Sequence, residues 1–270
     1  MPALRELSKT HYRAIFLSDI HLGTKGCQAG LLVSFLKQHT CDALYLVGDI
    51  VDGWRLKSTF FWPQEHTNVM RRFLTMSKRG TEIVYVTGNH DEFLRKYSDL
   101  ELGNLRLVDR AVHVGKKGSR FLVVHGDEYD VVTRYHRWLA FAGDVGYHVL
   151  LRVNRHLNAL RARFGLGYWS LSAWVKRRVK QAVSYVGDYE SAVAHHCRQL
   201  GFDGVVCGHI HHAEITDFGE VRYMNCGDWV ESCTALIETE AGEFRIVRWG
   251  EEAGAFQAEV LPLEEARLSA

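Results

Sequence analysis

The segment Ala14-Ile15-Phe16-Leu17-Ser18-Asp19-Ile20-His21 runs four apolar residues into a serine and two metal-ligating side chains. The same device returns four times. Leu44-Tyr45-Leu46-Val47 runs into Gly48-Asp49, and Ile83-Val84-Tyr85-Val86 leads to Gly88-Asn89-His90-Asp91. Phe121-Leu122-Val123-Val124 runs into His125-Gly126, and Val205-Val206-Cys207 into Gly208-His209-Ile210-His211. Short apolar runs bounded by turn residues read as buried strands, and open α/β sheets place their sites beyond the carboxyl ends of such strands. Between the runs the period changes. Gln28 to His39 sets Leu31, Leu32, Phe35 and Leu36 on one helical face; Glu65 to Lys78 does the same with Val69, Met70, Phe73 and Leu74, and Gly80 stops it. This alternation predicts a layered α/β fold. After Gly208 the chain turns to short strands, Val221 to Met224, Thr234 to Glu238 and Phe244 to Trp249, with a hairpin turn at Glu240 to Glu243.

With 270 residues, 47% of them hydrophobic and 24% charged, the chain is an ordinary globular sequence, long enough for one domain carrying an insertion. Its six cysteines form no Cys-x-x-Cys pair and sit in core-like contexts, which predicts reduced thiols in the cytosol rather than a disulfide framework. Met1 to Lys9 has no apolar region of a signal peptide, and no run of about 18 apolar residues suggests a membrane span. A cytoplasmic protein is expected.

The polar residues at the five strand ends suit cations. Asp19 and His21, two apart, can aim an oxygen and a nitrogen at one ion. Asp49 has two oxygens and can bridge two ions. Asn89 offers a neutral carbonyl oxygen, and His125, His209 and His211 offer nitrogens. An oxygen and nitrogen set without thiolate favours Mn²⁺, Fe or Zn²⁺ over Ca²⁺ or a cysteine-rich structural zinc. His90, beside Asn89 but not needed as a ligand, is placed to protonate a leaving oxygen or to stabilise transition-state charge. Singly, each has a bland reading: an Asp after a strand is usually a turn residue, and His195, His196 and His212 keep the reading of surface or core histidines. Agreement in order, spacing and strand context across five segments decides for two divalent metal ions.

The order Asp-x-His, Gly-Asp, Gly-Asn-His-Asp, His-Gly, Gly-His-x-His resembles the calcineurin-like metallophosphoesterase superfamily. The resemblance implies a metallophosphoesterase fold: α/β, two mixed β-sheets sandwiched and flanked by helices, here with an inserted helical cap. It further implies that Asp19, His21, Asp49 and His211 hold one metal, that Asp49, Asn89, His125 and His209 hold the second, and that His90 is catalytic. Within the superfamily the chain is most similar to the UDP-2,3-diacylglucosamine diphosphatases of lipid A synthesis, through Leu17 to Leu22, Gly48 to Trp54, Val124 to Asp127 and the insertion that follows. That likeness implies cleavage of a pyrophosphate in a lipid-linked sugar nucleotide to UMP and a lipid-sugar 1-phosphate, usually with Mn²⁺. One departure is His90, where the better-known members carry Arg; it favours a general phosphodiesterase acting on a nucleotide, nucleic acid or phospholipid head group. A non-catalytic scaffold of the same fold ranks last, since all seven ligands and His90 are kept.

Residues 1–250 are thus expected to form the catalytic domain, interrupted at 130–187 and followed by a tail at 251–270. The interruption carries ten Lys and Arg side chains against Asp130 and Asp144, with Trp138, Phe141, Trp169 and Trp174 interleaved. Three readings compete: a packed helical subdomain with a solvated basic face, a cap for acyl chains at the inner-membrane surface, or a nucleic-acid surface. The peripheral membrane cap agrees with the resemblance; nucleic acid ranks below it.

Overall fold

The computed structural model describes residues 9–129 and 189–250. The chain divides into one unit of Met1–Asp127 with Ala194–Ala270 and a second of Glu128–Val193. The helical insertion expected at 130–187 and the tail at 251–270 lie outside the described residues.

The first unit holds two mixed sheets. The larger begins with β1 (Thr10–Leu17), followed through α1 (Ala29–Gln38) by β2 (His39–Val47), and through α2 (Gly53–Ser58) and α3 (Gln64–Lys78) by β3 (Glu82–Val86). The short strands β4 (Glu101–Leu102) and β5 (Leu105–Val108) extend one edge; β11 (Thr234–Glu238) and β12 (Phe244–Arg248) extend the other, in the order β12-β11-β1-β2-β3-β5-β4. β1, β2, β3 and β5 pair in parallel. The second sheet is built from β6 (Ala111–Val114), β7 (Arg120–Val123), β8 (Gly204–Cys207), β9 (Glu214–Phe218) and β10 (Val221–Asn225), in the order β6-β7-β8-β10-β9. There β7, β8 and β10 are parallel.

The uninterrupted apolar runs are explained by burial on both faces. Along β1, β2 and β3, Phe16, Tyr45, Val47, Val84 and Val86 pack in one cluster with Phe121, Val123, Val206 and Met224 of the other sheet. Their alternates, Ile15, Leu17, Leu44, Leu46 and Ile83, join Leu32, Phe35 and Leu36 of α1 and Val69 and Phe73 of α3. The layers are therefore helix, sheet, sheet, and a one-residue slip in any central strand would exchange the two cores.

The predicted strands and both predicted helices stand where their patterns put them, and the Glu240–Glu243 step is the β11–β12 turn, with Gly242 at φ +81°. One side chain departs. Leu74 is 60% exposed, and the buried face of α3 runs through His66, Val69, Phe73 and Met76 instead. The buried stripe of α3 is narrower than that of α1, where the adjacent Phe35 and Leu36 are both buried, and Leu74 falls on its solvent side. No helix among the described residues is long and apolar enough to cross a membrane. All six cysteines are free thiols.

Candidate metal centre

The parallel register brings five strand ends together. Leu17 is opposite Leu46 and Val47 opposite Val86 in the first sheet, and Val123 is opposite Val206 in the second. The loops that follow are tied by Asp19 N–H to Gly48 O (3.1 Å), His21 N–H to Asp49 O (2.9 Å) and Gly208 N–H to His125 O (3.1 Å). Glycine is required where those loops meet. A Cβ on Gly48 would lie 2.3 Å from the His125 ring, one on Gly88 2.4 Å from Asp49 Oδ1, and one on Gly208 2.5 Å from Asp19 Oδ2.

Backbone strain concentrates here. Among the described residues seven non-glycine positions have positive φ, and five of them are Asp19, His21, Asp49, His209 and His211. Each such conformation costs an L-residue roughly 1–2 kcal/mol. It persists where surrounding bonds over-determine it, and strain of this kind gathers at functional sites.

The side chains converge in overlapping groups. Ligand atoms of Asp19, His21 and His211 lie within 4.8 Å of one another, as do those of Asp49, His125 and His209, and those of His21, Asp49 and His90. Each aspartate is held by one oxygen and presents the other. Asp19 Oδ2 accepts from His209 N–H (2.9 Å) while Oδ1 faces His211 Nε2 at 3.2 Å. Asp49 Oδ1 accepts from His90 N–H (2.8 Å), and Oδ2 faces Nε2 of His125 at 3.3 Å and Nε2 of both His21 and His90 at 3.9 Å. The histidines are oriented likewise. His125 Nδ1–H donates to Val47 O (3.0 Å), and His21 Nδ1 meets Asp52 Oδ2 (3.3 Å), which turns each Nε2 inward. A carboxylate or carbonyl behind an imidazole is the usual way of fixing a metal-ligating tautomer.

Burial makes this arrangement telling. Asn89 Oδ1 and His21 Nε2 are buried with no hydrogen-bond partner, and Asp19 Oδ1 and His125 Nε2 are buried with none of acceptable geometry. Native interiors rarely leave such atoms unsatisfied. Four inward-facing oxygen and nitrogen donors in one cluster, all acceptable to a hard or borderline divalent ion, fit a metal.

The electrostatics agree. Burial alone would raise the Asp19 carboxyl, but His211, with His125 and His21, holds it well below the usual carboxylate range; His125 does the same for Asp49. Burial would lower the two imidazoles, yet Asp49 lifts His125 to about 10 and Asp19 lifts His211 to about 9. For the metal-free chain the signs follow. The histidine contributions to stability are full below the ordinary histidine pKa and fade as pH rises through those values. The aspartate contributions are present above the ordinary carboxylate pKa and fade as pH falls through the depressed ones. Divalent ions bind deprotonated imidazole, so loading at pH 7.5 is expected to release about two protons per chain. Calorimetry in buffers of different ionisation enthalpy measures this; no proton release would separate these histidines from the ion sites. Gly48→Ala is expected to cost about 2–5 kcal/mol in urea unfolding, from its φ of +75° and the His125 overlap, and to lower metal content.

Two carboxylates outside the predicted set belong to this architecture. Asp52 Oδ2 lies 3.3 Å from His21 Nδ1 and 3.0 Å from His90 Nδ1, while Oδ1 caps α2 through Arg55 N–H (2.7 Å). Burial would raise its carboxyl, but the contacts from His21 and His90 hold it low. Asp91 Oδ2 accepts from Ile50 N–H (2.9 Å) and the Tyr85 hydroxyl (2.7 Å), and Oδ1 accepts from Gly88 N–H, tying the loops after β2 and β3 together. His212, by contrast, is exposed and faces Glu214 at 3.8 Å.

Comparison with known proteins points the same way. The calcineurin-like phosphoesterase family model matches residues 12–213. The UDP-2,3-diacylglucosamine hydrolase of Aeromonas salmonicida (strain A449) is 29% identical over 247 residues, spanning 86% of this chain and 91% of that protein. The protein of the same name from Porphyromonas gingivalis (strain ATCC BAA-308 / W83) is 26% identical over 237 residues, spanning 80% and 89%. Among solved structures, YfcE, a phosphoesterase from E. coli, aligns with a TM-score of 0.43 at 13% identity, covering 87% of this chain and 98% of its own. With the family model matching well over half its length, the chain belongs to the calcineurin-like phosphoesterase family and is a metal-dependent phosphoesterase.

Proposed function

We propose that this phosphoesterase cleaves the pyrophosphate of UDP-2,3-diacylglucosamine, releasing UMP and the acylated sugar 1-phosphate. The observation that carries the substrate is the match, over 80–86% of the chain, to relatives named for that hydrolysis. The cluster supports the chemistry. In this reading Asp19, His21, Asp49 and His211 hold one divalent ion and Asp49, Asn89, His125 and His209 the other, with Mn²⁺ the preferred metal. When bound, the pair supplies Lewis acidity at a phosphoryl oxygen and activates water at neutral pH. The chain's own groups do the rest. Asp49, whose Oδ2 faces three imidazoles, would serve both ions. His90 has its Nδ1 edge against Asp52 and its Nε2 toward the cluster, which supports a role in giving a proton to the leaving oxygen. The Trp54 ring packs against that of His90, tilted by 37° with ring centroids 4.2 Å apart. The substrate carries with it a cytoplasmic location at the inner-membrane surface, with the segment 130–187 as the contact.

A second reading, phosphodiester hydrolysis on a nucleotide, nucleic acid or phospholipid head group, is favoured by the imidazole of His90 itself, which can act as a general acid where Arg cannot. Incubation of the Mn²⁺-loaded protein with UDP-2,3-diacylglucosamine, beside bis(p-nitrophenyl) phosphate, separates the two. UMP release with little diester turnover supports the sugar nucleotide; the reverse pattern supports the diester.

A further inference from the structure

A separate set of metal-ligating atoms lies at the end of the strands remote from the candidate metal centre. His11 is on β1, Asp42 on β2 and Glu240 in the turn after β11, three neighbouring strands of the larger sheet. His11 stands near the start of β1 and Asp19 beyond its end, so at about 3.3 Å per residue the strand puts about 20 Å between the two places.

Three atoms converge there. His11 Nε2 lies 3.2 Å from Asp42 Oδ1 and 3.4 Å from Glu240 Oε1, and all three atoms fall within 4.8 Å of one another. Thr40, opposite His11 in the strand pairing, sets its Oγ1 behind the ring, 3.0 Å from Nδ1. When Nδ1–H donates to that hydroxyl, the Nε2 lone pair is turned toward the two carboxylates, the arrangement by which an oxygen behind an imidazole readies it for a metal. A protonated ring would do less, because its one Nε2–H is claimed by two carboxylates. The spacing is also long for such a bond, since charge-assisted N–H···O contacts settle at about 2.7–2.9 Å. It suits a metal. Ligand atoms about 2.0–2.2 Å from a tetrahedral Zn²⁺ stand about 3.3–3.6 Å apart, close to both spacings here.

The donor set agrees. One imidazole with two carboxylates suits Zn²⁺ better than Mg²⁺ or Ca²⁺, which prefer oxygen throughout. All three side chains are exposed, so an ion can enter and water can complete its coordination. Lys116 Nζ donates to the main-chain carbonyl of Glu240 and steadies the turn that carries it.

We infer that His11, Asp42 and Glu240 form a further metal site, which takes one Zn²⁺ and ties β11, β1 and β2 together at the end remote from the metal centre. It does not depend on the substrate proposed above, and its test needs no turnover. The full-length protein, with isotopically labelled histidines and backbone, is titrated with Zn²⁺ past three equivalents while imidazole and amide resonances are followed. His11 Nε2 and the amides of Asp42 and Glu240 are expected to shift and saturate in the micromolar range. Asp42→Asn and Glu240→Gln should each weaken this at least about tenfold, the least that loss of a supporting partner behind a ligand costs. His11→Gln should abolish it. In every variant the resonances of His125 and His211 should titrate as in the parent chain, which verifies the fold and keeps the two places distinct. Zn²⁺ beyond two equivalents should also raise the Tm of the parent chain and not that of His11→Gln.

Three results overturn the proposal. The same shifts with Mg²⁺ at equal concentration would mark plain attraction of a cation to carboxylates. A His11 shift that survives both carboxylate substitutions would mark a lone surface histidine. No His11 shift up to millimolar Zn²⁺ would leave the three residues as an ion pair.

Discussion

Alanine in place of Asp49 abolishes turnover and strips more metal from the purified protein than any other single ligand change. The expectation rests on position. Asp49 Oδ2 faces three imidazole nitrogens from three different loops, whereas Asp19 Oδ1 faces two, His211 Nε2 at 3.2 Å and His21 Nε2 at 3.9 Å. Two adjacent cations repel, and the anion between them offsets that repulsion. Its removal takes from His125 the carboxylate that lifts its pKa to about 10 in the metal-free chain, and frees the His90 amide from Asp49 Oδ1. A rate loss of more than about 10⁴-fold corresponds to roughly 5–6 kcal/mol of barrier. Elemental analysis of the folded variant and single-substrate kinetics check both parts. If the variant retains two metals per chain and near-normal turnover, Asp49 is not shared and the two-ion reading is wrong.

Much of this was legible before any coordinates because the chain repeats one physical device. Strands buried on both faces must be apolar throughout, so each run stands out, and whatever polar residue ends it is conspicuous. The signal fails where burial is partial. β4 is two exposed residues, and β9 is half-buried along most of its length, so neither carries a period. Asp52 was hidden for another reason. Its partners His21 and His90 lie 31 and 38 residues away in the loops after other strands, and only the parallel register brings them to one carboxylate. A second carboxylate three residues after Asp49, immediately before a helix, was the available trace, and it reads equally well as a cap. Asp52 is in fact both. The left-handed backbone at Asp19, His21 and Asp49 left only a faint trace, since Asp and His adopt positive φ more often than most residues but stand far more often elsewhere.

His90→Ala should separate chemistry from binding. Asn89 rather than His90 is the proposed ligand, so both metals should stay, while turnover falls by roughly 10²–10⁴-fold, the range for a positioned acid–base group. The loss should depend on the leaving group. p-Nitrophenolate departs with little need of a proton, so bis(p-nitrophenyl) phosphate should suffer least, and the sugar nucleotide, whose leaving phosphate gains from protonation, should suffer more. Asp52→Asn tests the support behind it. The amide keeps the shape but loses the charge that faces Nδ1 of both His90 and His21, at 3.0 and 3.3 Å. Turnover should fall with the same leaving-group dependence as in His90→Ala, and because His21 is affected too, metal affinity should fall with it. A purely structural role for Asp52 would lower stability while leaving the leaving-group dependence unchanged. Equal losses on both substrates in His90→Ala would mean that the imidazole acts on transition-state charge rather than by giving up its proton. That outcome would also make His90 the functional equivalent of an arginine at the same position, and would weaken the case for a general phosphodiesterase.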